Sequence, residues 1–296
     1  MTRVLCLGDL MVDVVARLSS RLAIGSDTPA PISLLGGGSA ANTAAWLAAS
    51  GLPTTFIGRV GDDALGRAAL VELARAGLEL AVSVDPDRPT GTCIVLVERD
   101  GERTMIPCAG ANAGEARLPD RMFDDEAHLH ISAYAVFGEG SRRAANAAVS
   151  LATERGCRLS VDAASAAPLR AFGANDFLGW LPRCLLFANL DEAGVLTGSD
   201  DPATAAAELA TRCGEAIVKC GADGAVWSDG HAVLHEIARP AEVFDSTGAG
   251  DAFAAGALAA RIAGGEPSDS LRSGNALAGR AIAVLGARPS RDQERG

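Results

Sequence analysis

The sequence predicts an α/β protein: a mainly parallel sheet flanked by helices, with a small β-sheet standing off it as a lid. Three observations carry this. Strand-like and helix-like segments alternate along most of the 296 residues, as βαβ units do. The 34 glycines fall in short clusters between apolar runs and mark tight turns. Two stretches break the alternation, and one of them holds Asp100-Gly101 between apolar strands, a hairpin signal.

The elements follow in order. Residues 4–8 read as a strand, 40–50 as an alanine-rich helix ended by Gly51, 54–60 as a strand, and 64–76 as a helix closed by Gly77. Segments 127–131 (strand), 141–155 (helix), 158–162 (strand), 184–189 (strand), 203–213 (helix) and 216–219 (strand) continue the rhythm. The chain then reads as a strand at 241–244 and helices at 251–263 and 268–285. Segments 11–35 and 90–108 are non-helical, and together they predict a small antiparallel lid sheet. A chain of this length predicts one large domain, 1–296, with the lid as its appendage. The tail from Arg288 reads as loosely ordered.

Composition narrows the function classes. The net charge is -11 and no Lys/Arg-rich run occurs, so no nucleic-acid partner is expected. The seven cysteines are scattered, odd in number and without a Cys-x-x-Cys, which suits reduced thiols in a cytoplasmic protein. The N-terminus lacks the pattern of a signal peptide. No apolar run is long enough to span a bilayer, so no membrane partner is expected.

Three motifs carry chemistry. In Asp245-Ser-Thr-Gly-Ala-Gly-Asp251 a strand-like run enters a glycine turn that opens a helix. The turn's N–H groups and the helix N-terminus make an anion hole for a phosphate. A carboxylate beside such a hole can orient an attacking hydroxyl and take its proton, and the helix N-terminus is expected to keep Asp251 ionised at neutral pH. A plain helix cap is the structural alternative for Asp251. The second motif is Gly36-Gly37-Gly38-Ser39-Ala40-Ala41-Asn42, also at a helix start. Its glycines let a polyol approach the backbone, and Asn42 offers a donor and an acceptor. It matches neither a Walker A loop nor a dinucleotide fingerprint. The third is Asn189-Leu-Asp-Glu192 after an apolar strand, where Asn189 and Glu192 could hold Mg²⁺ through water.

Together these motifs resemble the ribokinase-like (PfkB) carbohydrate kinase family over nearly the whole chain, including Gly58-Arg-Val-Gly61-Asp62-Asp63-x-x-Gly66. The resemblance implies a three-layer Rossmann-like fold of the ribokinase-like kind. It implies Asp251 as catalytic base, with Gly248, Ala249 and Gly250 as the anion hole. Asp13, Gly37, Gly38 and Asn42 match sugar-binding positions. Lys219, Gly221 and Gly224 fall where the family's strand meets ATP, with Asn189 near the phosphates and Asn275 near the adenine. Glu192 matches the Mg²⁺ motif. Asp245, with backbone around Gly286 and Ser290, matches a monovalent-cation (K⁺) site.

The chain departs from the pattern at Ser39, where ribokinase-type enzymes usually carry Lys. Losing that cation argues against a phosphorylated sugar, and Arg103 on the lid is left as a candidate substrate-binding cation. Tyr134, the only tyrosine, could stack with Phe137 on a nucleobase, although such aromatics are more often core. The four histidines have no partners for a metal site. The expectation is therefore a kinase acting on a hydroxyl of a small neutral sugar of the ribose, fructose or 2-keto-3-deoxygluconate type. A nucleoside kinase of the adenosine or pseudouridine type, or a non-catalytic sugar-binding regulator, are the alternatives. An exposed lid edge suggests a homodimer through the lid.

Overall fold

The computed structural model describes residues 2–99 and 103–289. The Asp100-Gly101 turn, Ser290 and the rest of the tail lie outside the described residues. In chain order the strands and helices begin with β1 (Val4–Leu7), β2 (Met11–Arg17), β3 (Ile32–Gly37), α1 (Ser39–Ala49), β4 (Thr54–Gly61), α2 (Ala64–Arg75), β5 (Glu79–Asp85), β6 (Gly91–Val97) and β7 (Arg103–Cys108). They continue with β8 (His128–Ser132), α3 (Tyr134–Phe137), α4 (Glu139–Arg155), β9 (Arg158–Asp162), α5 (Ala166–Phe172), α6 (Ala174–Trp180), β10 (Cys184–Asn189) and α7 (Leu190–Thr197). The last are α8 (Pro202–Cys213), β11 (Gly214–Lys219), β12 (Ala225–Ser228), β13 (Val233–Glu236), α9 (Ala249–Ile262) and α10 (Pro267–Ala281).

The short apolar runs of β1 and β10 are buried on both faces, which is why they read as hydrophobic without alternation, while β8 and β9 bury polar residues such as His130 and Ser160 among their apolar ones. They lie inside a nine-stranded sheet of order β13-β12-β11-β10-β9-β8-β1-β4-β5. The seven strands from β11 to β5 are parallel, and β12 and β13 add an antiparallel edge. One face packs against α1, α2, α9 and α10 through Trp46, Leu73, Phe253 and Leu271. The other packs against α4 to α8 through Ala148, Leu169, Phe177, Leu196 and Leu209. Connections run outward in both directions from the β1–β8 pair, so the C-terminal ends of these strands form the switch point where open α/β sheets bind ligands.

The second sheet has order β3-β2-β6-β7. It is mixed, not antiparallel as expected: β2 pairs antiparallel with β3 and parallel with β6, and β6 pairs antiparallel with β7. The two hairpin-like pieces come from separate parts of the chain, and they join by their first strands running the same way. Its attachment is fixed at Thr90. Asp63, the N-cap of α2, accepts from Gly66 N, Thr90 N and Thr90 Oγ1, each at 2.7 Å. The run 61–66 thus anchors the lid strand β6.

Further expectations are corrected. Residues 241–244 form no strand: Val243 and Phe244 are exposed, and Phe244 N donates to Ile282 O instead of a sheet neighbour. The last helix ends at Ala281, earlier than expected. Arg288 is not loose. Its guanidinium donates to Gly37 O at 2.7 Å and Asn42 Oδ1 at 3.1 Å, and pairs with Glu72 at 2.8 Å. Strand β5, helices α5 and α6, and the β12–β13 edge appear in addition to the elements expected.

Buried Trp46 of α1 donates its indole N–H to Ala287 O at 2.9 Å, pinning the segment that carries Arg288. Trp46→Phe leaves that carbonyl unpaired and is expected to cost about 1–3 kcal/mol, read as a lower urea midpoint with an unchanged m-value.

Candidate active site

A cavity of about 1230 Å³ opens between the C-terminal edge of the main sheet and the inner face of the lid. The parallel strands deliver polar groups to it in sequence. Asp9 follows β1, Tyr134 follows β8, Asp162 ends β9, Asn189 ends β10 and Lys219 ends β11. The lid contributes Asp13, Arg103, Met105 and Pro107, which share one face of β2 and β7.

Two helices start here, and they are finished differently. Gly38, at the N-cap of α1, has φ +94°, and a Cβ there would lie 2.5 Å from Asp9 O, so only glycine fits. The first N–H groups of α1, from Ser39 and Ala40, are taken by the Asp9 carboxylate at 3.1 and 3.3 Å. Helix α9 starts at Gly248, with φ +74°, and no side chain caps it. Its N-terminus faces the cavity through Gly248, Ala249 and Gly250, which suits a phosphate.

Asp251 lies in the first turn of α9 but does not cap it. Its Oδ1 accepts from Ser39 Oγ and its Oδ2 from Asn42 Nδ2, both at 2.9 Å. The carboxylate therefore ties the phosphate-type turn to the polyol-type loop. The expectation of an ordinary ionised acid is overturned. Burial pushes Asp251 up to about 7, the Asp162 charge adds to this, and the bonds from Asn42 and Ser39 and the charge of Lys219 only partly oppose it. Burial likewise lifts Asp13 to about 6 against the pull of Arg288, and Glu192 to about 7 against Lys219.

Asn189 and Glu192 form a capping box on α7. Asn189 Oδ1 accepts Glu192 N at 2.8 Å, and Glu192 accepts Asn189 N and Nδ2, both at 2.7 Å. Both residues still line the cavity. Lys219 Nζ pairs with Asp162 Oδ2 at 2.7 Å and lies beneath Gly250, where a Cβ would come within 3.2 Å of it. Burial pulls the Lys219 ammonium down, and Asp162 and Glu192 outweigh that, holding it above its ordinary value. Gly221, Gly224 and Asn275 line the cavity beyond Lys219, and the Asn275 amide donates to Glu236 O at 3.1 Å. Gly37 packs on Asp13: a Cβ there would meet the carboxylate at 2.4 Å.

Two expected roles do not match the geometry. Arg103 lines the cavity, but its guanidinium pairs with Asp245 at 3.2 Å and donates to Ser246 and Thr247. It bridges lid and anion turn and does not reach toward Asp13. The monovalent-cation set fares likewise. Asp245 Oδ1 accepts Thr247 N at 3.0 Å and Thr247 Oγ1 at 2.6 Å besides Arg103, and Oδ2 accepts Gly286 N at 2.9 Å. Gly286 thus presents a donor, and Arg103 already supplies the positive charge. Both oxygens of Asp245 are thus engaged by donors of the chain itself, and Ser290 lies outside the described residues. Asp162 and Glu192 also line the cavity; Lys219 pairs with the first and Asn189 bonds the second, so they could reach a divalent ion only through water.

Sequence reasoning passed over Asp9, Asp162 and Arg288. Asp9 and Asp162 stand at or just after C-terminal strand ends, a signal that was readable; Arg288 gave none. Tyr134 is not core: it is 38% exposed, lines the cavity and meets Phe137 edge-on. His128 and His130 share the Ser160 hydroxyl at 2.8 and 2.9 Å, deep in the sheet. Burial lowers them to about 3 and about 4.

Fold and site together define a phosphotransferase with an alcohol group as acceptor. The family description "pfkB family carbohydrate kinase" matches residues 1–294, and the chain belongs to that family. It is 31% identical to a fructokinase of Klebsiella pneumoniae over 276 residues, 89% of this chain and 85% of the relative. Among solved structures it resembles an adenosine kinase from Sinorhizobium meliloti, with TM-score 0.86, 27% identity, and 97% and 96% of the two chains covered. It also resembles an Arabidopsis thaliana ribokinase complexed with ribose and ATP, with TM-score 0.81, 25% identity, and 99% and 97% covered.

The raised Asp251 predicts a pH signature in stability. Its folded value lies above the ordinary 3.8, so ionisation favours the unfolded chain and stability falls as pH rises from about 4 through about 7. Asp251→Asn removes this penalty. Its melting temperature relative to wild type should shift upward between pH 5 and pH 8, measured by scanning calorimetry.

Proposed function

We propose that this kinase transfers the γ-phosphate of ATP to a hydroxyl of a small neutral carbohydrate, of the ribose, fructose or 2-keto-3-deoxygluconate type, with Asp251 as base. The observation that carries this reading is the Asp251 carboxylate held by Ser39 and Asn42 at the mouth of an uncapped helix. Those two bonds hold one oxygen pair at the meeting point of acceptor loop and anion turn. An acceptor hydroxyl there would yield its proton to Asp251 as it attacks.

Asp13 and Asn42 would take the other sugar hydroxyls, with Gly37 and Gly38 allowing close approach. Asp9 and Asp13 make this end acidic, and Arg288 is spent on Gly37, Asn42 and Glu72, so a phosphorylated acceptor is disfavoured. Gly248, Ala249, Gly250 and Lys219 would cradle the transferring phosphate. Gly221, Gly224 and Asn275 would border the adenine. Asn189, Glu192 and Asp162 would hold Mg²⁺ through water, and Mg²⁺ would neutralise charge on the phosphates. The seven free cysteines suit a cytoplasmic site of action.

A nucleoside acceptor is the second reading. Partly exposed Tyr134 on the cavity wall favours it, as does the likeness to an adenosine kinase. Turnover with ribose, fructose, 2-keto-3-deoxygluconate, adenosine and pseudouridine separates the two.

Asp251→Asn should lower kcat by about 10²-fold or more while an ATP analogue still binds. Wild-type kcat/KM should rise with pH through about 7, as the raised carboxyl ionises. Near-normal turnover in the variant would remove Asp251 from the role.

We also propose that a second copy covers the lid. Leu34, Val14, Ile94 and Ile106 lie in register across all four lid strands, and Leu34, Ile94 and Ile106 are exposed. Ile94→Asp should convert a dimer to monomer in sedimentation velocity, with the fold retained.

A further inference from the structure

The glycine run that opens α1 holds one residue with no share in the cavity. Gly38 lines it and Gly37 packs on Asp13, but Gly36 does neither. Gly36 sits in strand β3 opposite Val12, and its φ is not left-handed, so the backbone there admits a side chain. A neighbour excludes one. A Cβ on Gly36 would lie 2.2 Å from Arg288 Nη1 and 2.4 Å from Glu72 Oε1. The missing side chain is the room that the Arg288 guanidinium occupies.

Three contacts carry the chain into that room. Gly286 N donates to Asp245 Oδ2 at 2.9 Å, and Trp46 Nε1 donates to Ala287 O at 2.9 Å. Ala287 packs on Gly248, where a Cβ would meet it at 2.6 Å. The Arg288 side chain that follows is 8% exposed. Its Nη2 donates to Gly37 O at 2.7 Å, its Nη1 to Glu72 Oε1 at 2.8 Å and its Nε to Asn42 Oδ1 at 3.1 Å.

The last bond decides which way Asn42 faces. A guanidinium only donates, so the Asn42 atom beside Arg288 Nε must be the carboxamide oxygen. The amide nitrogen then points the other way and donates to Asp251 Oδ2 at 2.9 Å. Turned over, the carboxamide would set N–H against N–H at Arg288 and oxygen against the Asp251 carboxylate, and both bonds would be lost. Without Arg288, that side no longer distinguishes nitrogen from oxygen. In the observed orientation Asn42 keeps a second N–H and a second lone pair for an acceptor hydroxyl.

We infer that Arg288 is a positioning residue for the phosphoryl transfer: seated against Gly36, it holds the Asn42 carboxamide with its N–H toward Asp251 and so fixes that carboxylate against the acceptor. Arg288 touches no reacting atom and acts through Asn42. Its effect on turnover rests on the reading of Asp251 as base; the Arg288–Asn42 contact does not.

The test is a double-mutant cycle on Arg288 and Asn42. Arg288→Met keeps the apolar stem and removes the donors. Turnover is measured with whichever of ribose, fructose, 2-keto-3-deoxygluconate, adenosine and pseudouridine reacts fastest. Arg288→Met and Asn42→Ala should each lower kcat about tenfold or more, with the KM for ATP unchanged. In the Asn42→Ala background, Arg288→Met should cost less than about threefold, because its action passes through Asn42. Arg288 also pulls Asp13 down against burial, an effect that falls on acceptor KM, so kcat is the quantity read. Gly36→Ala is the second variant. Its added Cβ meets only the far ends of the Arg288 and Glu72 side chains, so the fold should hold while the guanidinium is displaced. It should lower kcat as Arg288→Met does. Urea midpoints of wild type, the two single variants and the double variant test the contact without turnover, and the losses should be less than additive. Additive urea effects overturn the contact. Additive losses in kcat, or wild-type kcat in Arg288→Met or in folded Gly36→Ala, overturn the positioning role. Near-normal turnover in Asp251→Asn beside a standing urea coupling overturns the base assignment, and the kinetic role with it, but not the contact.

Discussion

The structure turns on one carboxylate placed where two helices begin. Asp251 belongs to α9, yet both of its oxygens are held by α1, through Ser39 and Asn42. That junction joins a loop from residues near 40 to a turn near 250, at the C-terminal edge of one sheet. The two helix starts then divide the work. Asp9 satisfies the first N–H groups of α1, while α9 is left without a side-chain cap. One helix end is closed by protein and the other is open to a phosphate.

Bringing these groups together gathers negative charge. Asp9, Asp13, Glu192 and Asp251 all sit above their ordinary carboxyl values, with burial the first cause in each case. Lys219 and Arg288 are the compensating cations, and each is itself bound to a carboxylate or carbonyl. A divalent ion with its phosphates would offset this gathered negative charge. The lid is held by the same logic. Thr90 fixes its root through Asp63, and Arg103 fixes its tip through Asp245.

Much of this was legible in the sequence. The two glycine turns, the acid at 251, Asn42 and the Asn189–Glu192 spacing are local patterns, and all of these residues line or border one cavity. Most strands and helices were legible too, because strands such as β1 and β10 are short apolar runs and many intervening helices are alanine-rich. The failures have physical causes. Residues 241–244 look like a strand, but no neighbouring strand offers them a ladder. The lid was expected to be antiparallel because each half is a hairpin-like piece; the parallel β2–β6 pairing depends on how two distant segments meet.

Local chemistry determined which residue types open each helix, which turns require glycine, and where polar groups interrupt apolar runs, since these depend on neighbours a few positions apart. Only the tertiary structure decided what those residues do to one another. It placed Asp251 on α1 and not on its own helix cap, raised its proton affinity by burial, spent Arg103 on Asp245, and drew Arg288 from the tail into the acceptor loop. Each depends on through-space distance and on exclusion of water, and the linear order of the chain encodes neither directly.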